Sequence, residues 1–224
     1  GYDKYPPIFP LFTELFYKFF GNQDWAYYLL SQLFVISSFI VVFNFSKYFF
    51  NNEAHSLIAV LLLESIYFFN YTTPELNAFI PLFLFLGCTA LFCWRAIIFN
   101  KTFDWIMFGI FAGISSLTYY LALYLLAALG LYFIREIIIN KKINYKYFIT
   151  LITYFIILSP HLYYIFSENL KSVEYALFRS FGDPLSGISQ EKLFDHLLYP
   201  IIFLVKQNLI LIPLLLLIRL VISS

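Results

Sequence analysis

The chain has 224 residues, of which 62% are hydrophobic, 23% aromatic and 12% charged, and its formal net charge is +1. Soluble domains contain about 25% charged and about 45–50% apolar residues, so a soluble core of this size would not hide so much Phe, Leu and Ile. The composition therefore indicates an all-α, polytopic transmembrane helix bundle. The near-neutral charge argues against a nucleic-acid partner.

Apolar windows separated by charged and Asn-rich stretches predict about seven membrane helices. A hydrocarbon core about 30 Å thick needs about 20 helical residues. The predicted spans are residues 25–46, 54–71, 75–94, 105–118, 121–134, 147–166 and 197–218. We expect one transmembrane domain, residues 1–224, with the segments 1–24 and 167–196 at the outer face.

A shorter helix is predicted before the first span. In "PLFTELFYKFF", residues 10–20, Thr13, Glu14 and Lys18 share one helical face. Such a helix is about 16 Å long, too short to cross the bilayer, so we expect it to lie in the interface plane. Its predicted apolar face consists of Leu11, Phe12, Leu15, Phe16 and Phe19.

The stretch 105–134 is long for one span and short for two. A turn near "TYY" would make two helices and place Lys101 and Arg135 on the same side. By the positive-inside rule that side is cytoplasmic, and we therefore predict two helices. The basic residues gathered on this face are Lys47, Arg95, Lys101, Arg135, Lys141, Lys142, Lys146 and Arg219.

Few other residues suggest chemistry inside the spans. Cys88 and Cys93 are five residues apart on one predicted helix and are expected to be unbonded packing residues. The three histidines are far apart in sequence, so no metal site is expected. Glu64 is the acid deepest in a predicted span, and its charge should make it face the bundle interior.

Polar clusters at the outer face are the candidate site. In "GYDKYPP", two prolines restrict the backbone and hold Lys4 and Tyr5 above the bilayer. Lys4 either contacts a phosphate or sugar acid, or is a lysine that reaches up to the interface. In "TTPELNAF", Thr73-Pro74-Glu75 is typical of a helix start, which explains Glu75 without a ligand. Asn77, just beyond it, has no such explanation.

Two further clusters follow along the chain. Tyr119, in the predicted turn, belongs either to an interfacial aromatic belt or to a binding site. Pro160 frees a helical carbonyl and is expected to kink its helix. We expect His161 either to contact a ligand or to hydrogen-bond that carbonyl.

These segments, in this order, resemble glycosyltransferase family 39, the superfamily of protein mannosyltransferases and of bacterial enzymes that transfer aminoarabinose or galacturonic acid to lipid A. "GYDKYPP" is similar to the family's "Y-x-K/H-P-P-L" segment. "TTPELNAFIPLFLFLGCTALFCWRAI", "GIFAGISSLTYYLALYLL" and "LSPHLYYIFSENLKSVEYALFR" resemble three later family segments, so the resemblance covers residues 2–180.

The resemblance implies the GT-C architecture and an inverting glycosyltransferase with its site at the outer face, in a bacterial inner membrane facing the periplasm. The donor would be a polyprenyl-phosphate sugar, the acceptor a lipid or protein, with neither cofactor nor metal. The family's catalytic aspartate would lie upstream of Gly1, which makes the chain resemble a truncated member, inactive by itself. The implied substrate-binding residues are Lys4, Tyr5, Glu75, Asn77, Tyr119 and His161.

One departure and two alternatives stand beside this interpretation. The family often has a lysine where this chain has Thr118 and Tyr119. Lys4 or Arg179 would then supply the charge that faces the donor phosphate, or donor recognition differs, or this member is inactive. The alternative functions are a transporter or flippase, which needs ionisable residues at mid-membrane, and a non-catalytic membrane subunit.

Overall fold

The computed structural model describes residues 6–66, 68–69 and 75–167. The chain divides into two compact units, Gly1–Ser172 and Val173–Ser224, and the described residues all belong to the first. The helix predicted at 197–218 and the outer segment after Ser167 lie outside the described residues.

Throughout the described residues the regular structure is helical, as the composition predicts. The helices are α1 Ile8–Phe20, α2 Asp24–Ser46, α3 Glu53–Glu64, α4 Phe79–Phe99, α5 Thr102–Thr118, α6 Ala122–Asn140 and α7 Lys146–Ser167. By length and hydropathy, four of them can cross a membrane: α2, α4, α6 and α7. α5 is apolar but shorter, with 17 residues.

α5 and α6 are separate helices, which confirms the predicted turn. α5 ends at Thr118, Tyr119 is in extended conformation, and α6 begins at Ala122. The connection before α5 and the connection after α6 therefore lie at the same end of the bundle. We call that end the basic end, because it carries Arg95, Asn100, Asp104, Asn144 and Lys146 in one hydrogen-bonded region. The opposite end, with Tyr119, Tyr120 and His161, is the tyrosine end.

α5 is the central helix of the bundle, because it packs closely on both α4 and α7. Gly109 and Gly113 make the second contact possible. A Cβ at Gly109 would overlap Thr153 Oγ1 and lie 2.6 Å from the Thr150 carbonyl oxygen, and one at Gly113 would lie 2.8 Å from Ile157. Small residues with this spacing let membrane helices approach closely.

The predicted short amphipathic helix is present as α1, which confirms it. Its apolar side chains, however, fall into two groups rather than the single face that was predicted. Phe12 packs edge-on against Phe34 with ring centroids 5.1 Å apart. Phe16 also packs against the hydrophobic cluster that contains Phe34. Leu11, Leu15 and Phe19 remain exposed. The helix therefore attaches to the bundle along one side and has a second apolar side available for lipid. An ion pair of 2.9 Å joins Glu14 and Lys18 on its polar side.

The prediction that Glu64 faces the bundle interior is wrong. α3 ends at Glu64 and is shorter than the predicted span 54–71, so the carboxylate lies at a helix terminus, where it is exposed. The described acid that is fully buried is Asp104, near the start of α5. Arg95 Nε donates to its Oδ1 over 2.8 Å, and Oδ2 has no hydrogen-bond partner among the described residues.

Candidate functional site

Three segments distant in sequence come together at the tyrosine end. They are the start of α4, the turn between α5 and α6, and the second half of α7. The Phe79 ring lies 4.9 Å from the Tyr119 ring, and Tyr120 is hydrogen-bonded to His161. The structure thus brings together the regions of Asn77, Tyr119 and His161, which the sequence placed in one site.

The contact between Tyr120 and His161 joins the turn to α7. The phenol oxygen and Nε2 are 3.0 Å apart, and the rings are stacked with centroids 6.2 Å apart. Burial raises the pKa of the Tyr120 phenol, so the phenol is protonated at neutral pH and can donate to Nε2. Tyr164, one turn later on α7, is also stacked with the imidazole, with ring centroids 6.5 Å apart. His161 is therefore held in a defined orientation.

The alternative in which His161 hydrogen-bonds the carbonyl freed by Pro160 is wrong. Ser159 Oγ donates to the Ile156 carbonyl over 2.8 Å, and Ile156 is the residue four before Pro160. α7 continues through Pro160 to Ser167, because the serine satisfies the carbonyl that the missing N–H leaves unpaired.

Asn77 has a structural role at the start of α4. Its Oδ1 accepts from the Phe79 N–H at 3.0 Å and its Nδ2 donates to the Glu75 carbonyl at 3.1 Å. The helix begins at Phe79 rather than at 75, so Glu75 precedes its first turn and is exposed. Ala78, directly before α4, already has helical backbone angles, so the side chain that caps this end is that of Asn77. The predicted helix start at Thr73-Pro74-Glu75 is wrong in position. Thr73 and Pro74 themselves lie outside the described residues.

The opening segment is described only in part. Lys4 and Tyr5 lie outside the described residues, as does Arg179, so their expected contacts stay predictions. Pro6 is the first described residue and is fully buried. Its burial places the start of the described chain against the protein rather than in solvent.

The sequence pattern did not indicate two hydroxyl pairs that α5 forms with its neighbouring helices. Thr89 Oγ1 and Ser115 Oγ are 3.1 Å apart between α4 and α5, and Ser116 Oγ lies 3.3 Å from the Tyr154 hydroxyl on α7. The signal was the pair Ser115-Ser116 after a long apolar run in α5. These hydroxyls join α5 to both of its neighbours.

The side chains at the tyrosine end suit hydroxyl and phosphate ligands. A phenol donates and accepts hydrogen bonds, and a neutral imidazole does both at its two nitrogens. His161 uses Nε2 for Tyr120, and Nδ1 has no hydrogen-bond partner among the described residues. Nδ1 is therefore free to contact a ligand at this end.

Comparison with known proteins identifies a family for the chain but no individual relative. Searches of curated proteins and of solved structures found no match to the chain. A model of the dolichyl-phosphate-mannose-protein mannosyltransferases matches residues 4–164, a range that includes α1 to α7 nearly complete and the whole tyrosine end. The match covers well over half of the 224 residues. The chain therefore belongs to the dolichyl-phosphate-mannose-protein mannosyltransferase family, whose members are multi-pass membrane glycosyltransferases of the GT-C type.

Proposed function

We propose that this protein transfers a sugar from a polyprenyl-phosphate donor to a lipid or protein acceptor at the outer face of the membrane. The observation that carries the proposal is the family match over residues 4–164. The tyrosine end supports it, because it joins the start of α4, the turn between α5 and α6, and His161 in one place. We place the donor phosphate at this end.

The proposed chemistry needs two kinds of group. A leaving phosphate is stabilised by cations and hydrogen-bond donors placed where its charge develops, and an attacking hydroxyl or amine needs a base within hydrogen-bond reach. Tyr119 and His161 would supply donors, and Lys4 the charge. Transfer would proceed with inversion at the sugar carbon.

Transport has less support than transfer. A transporter should have ionisable groups near mid-membrane, whereas Glu64, the acid expected deepest in a span, is exposed at the end of α3. Asp104 is buried, but it is paired with Arg95 at the basic end. We therefore favour the transferase.

The experiment is a transfer assay on the full-length protein in membrane vesicles. Polyprenyl phosphates carrying different radiolabelled sugars are supplied in turn, and label is measured in extracted lipid and in precipitated protein. The proposal expects transfer from at least one donor, with the anomeric configuration inverted. Absence of transfer from every donor, with the protein folded and abundant in the membrane, would contradict it.

A further inference from the structure

A cleft between α5, α6 and α7 has no part in the proposed reaction. Within the described residues, the one buried member of α6 is Ala122, at its first position, so the rest of α6 is loosely covered. The resulting cleft has a volume of about 420 Å³ and is lined by Trp105, Phe108, Phe133 and Tyr154 among others. This volume falls in the range of small-molecule sites, about 300–1,000 Å³.

The cleft adjoins a polar recess at the basic end. Trp105, Phe133 and Tyr147 line both, and the recess has a volume of about 170 Å³. Asn100 organises the recess, since its Oδ1 accepts from Trp105 Nε1 at 3.1 Å and from Asn144 Nδ2 at 3.0 Å. An apolar cavity thus ends in a structured group of hydrogen-bonding side chains.

The connection between α6 and α7, which contributes Asn144 to this recess, carries three lysines at or near it in sequence. Lys141 and Lys142 are exposed on the connection between α6 and α7, and Lys146 donates to the Asn100 carbonyl. Arg135 Nη1 donates to Glu136 Oε1 over 3.4 Å, so these two charges offset each other. Glu136 is the acid that lines the recess, and its Oε2 already accepts from Asn140 Nδ2 at 2.9 Å. The local charge is therefore positive.

We infer that this cleft binds one anionic glycerophospholipid. Its acyl chain lies between α5, α6 and α7, and its phosphate lies at Lys141, Lys142 and Lys146. Basic pockets between membrane helices bind anionic headgroups. An acyl chain in the cleft restores the dispersion contacts that an unfilled apolar space lacks.

The position of the cleft separates this lipid from the sugar donor. The recess lies beside Asn100 and Trp105, at the start of α5, whereas Tyr119 follows its end. A helix of 17 residues is about 25 Å long. The phospholipid phosphate and the donor phosphate therefore belong to opposite ends of the bundle, and this inference does not rest on the proposed function.

Native mass spectrometry of the full chain, purified in a mild detergent and titrated with phosphatidylglycerol or phosphatidylcholine, tests the inference. The wild type should retain one phosphatidylglycerol in preference to phosphatidylcholine. Lys141→Gln/Lys142→Gln should weaken that retention about thirtyfold, given the usual contribution of two lysines at an anionic surface. A charge-loss control outside the basic end, Lys18→Gln near the end of α1, should leave it unchanged.

Gly130→Leu provides the second arm, because Gly130 lines the cleft and a Cβ there meets no atom within 4 Å. The added side chain should occupy part of the cleft and weaken retention without lowering the thermal stability of the protein. Equal retention of both lipids by the wild type, or unchanged retention by Gly130→Leu, would overturn the inference. Displacement of phosphatidylglycerol by undecaprenyl phosphate would overturn the assignment to a phospholipid.

Discussion

Replacing Gly109 by alanine tests the packing of α5 on α7. The new Cβ would overlap Thr153 Oγ1 and lie 2.6 Å from the Thr150 carbonyl oxygen. Thr153 can rotate only by giving up its hydrogen bonds to the Ile149 and Thr150 carbonyls, each 3.0 Å long. The Thr150 carbonyl belongs to the backbone, so α7 itself must move away.

The magnitude follows from opposing effects. Overpacking a well-packed contact typically costs about 1–3 kcal/mol, while alanine is favoured over glycine in a helix by up to about 1 kcal/mol. Gly130 is the matched control, since it is also helical and its added Cβ meets nothing within 4 Å. We expect Gly109→Ala to be about 1–3 kcal/mol less stable than Gly130→Ala.

The assay is thermal unfolding of the purified variants in one detergent, followed by intrinsic fluorescence. Gly109→Ala/Thr153→Ala should recover only part of the loss, because the Thr150 carbonyl remains in the way. Equal stability of Gly109→Ala and Gly130→Ala would refute the close contact between α5 and α7. That result would also weaken the placement of His161, which α7 carries to the tyrosine end.

Three further substitutions test other parts of the structure. Arg95→Met should lower the free energy of unfolding by about 3 kcal/mol, because it leaves the Asp104 carboxylate buried without its partner; unfolding in detergent measures this. Asn77→Ala should cost about 0.5–2 kcal/mol by removing the cap of α4, whereas Glu75→Ala should be neutral in the same assay. Lys4→Ala in the full-length protein should lower sugar transfer without lowering membrane abundance, as measured with labelled donor and immunoblotting.

Controls make these outcomes decisive. Lys47→Gln breaks an exposed ion pair with Glu53, 2.9 Å long, and should leave stability nearly unchanged, because exposed ion pairs contribute little. If Arg95→Met lowered stability no more than Lys47→Gln does, the burial of Asp104 would be contradicted. A loss for Glu75→Ala as large as that for Asn77→Ala would contradict the assignment of the cap. Unchanged transfer by Lys4→Ala would remove Lys4 from the site.

Within the described residues, hydropathy and charge predicted the order of the helices, but α3 ends at Glu64 and is shorter than the predicted span 54–71. The turn at Tyr119 was predictable because only two helices place Lys101 and Arg135 at one end. The starts of α4 and α5 differed by several residues, at Phe79 and Thr102, because hydropathy windows locate the apolar centre of a helix better than its caps.

The individual partners of polar residues were not predictable. Helical spacing does not reveal that Ser159, rather than His161, bonds the Ile156 carbonyl. Likewise, the pairing of Tyr120 with His161 joins residues 41 positions apart. Such contacts depend on how α5 and α7 are oriented about their axes, which the glycine contacts determine and the sequence pattern alone does not.

The most direct test of the central claim compares sugar transfer by Tyr120→Phe and Tyr124→Phe in the full-length protein. Tyr120→Phe removes the hydrogen bond that orients His161, while Tyr124 lies one turn into α6 and is 76% exposed. One neutral hydrogen bond contributes about 0.5–1.5 kcal/mol, so transfer by Tyr120→Phe should fall about two- to tenfold. Tyr124→Phe should match the wild type. Equal rates for both variants at equal abundance would contradict a transferase site at the tyrosine end.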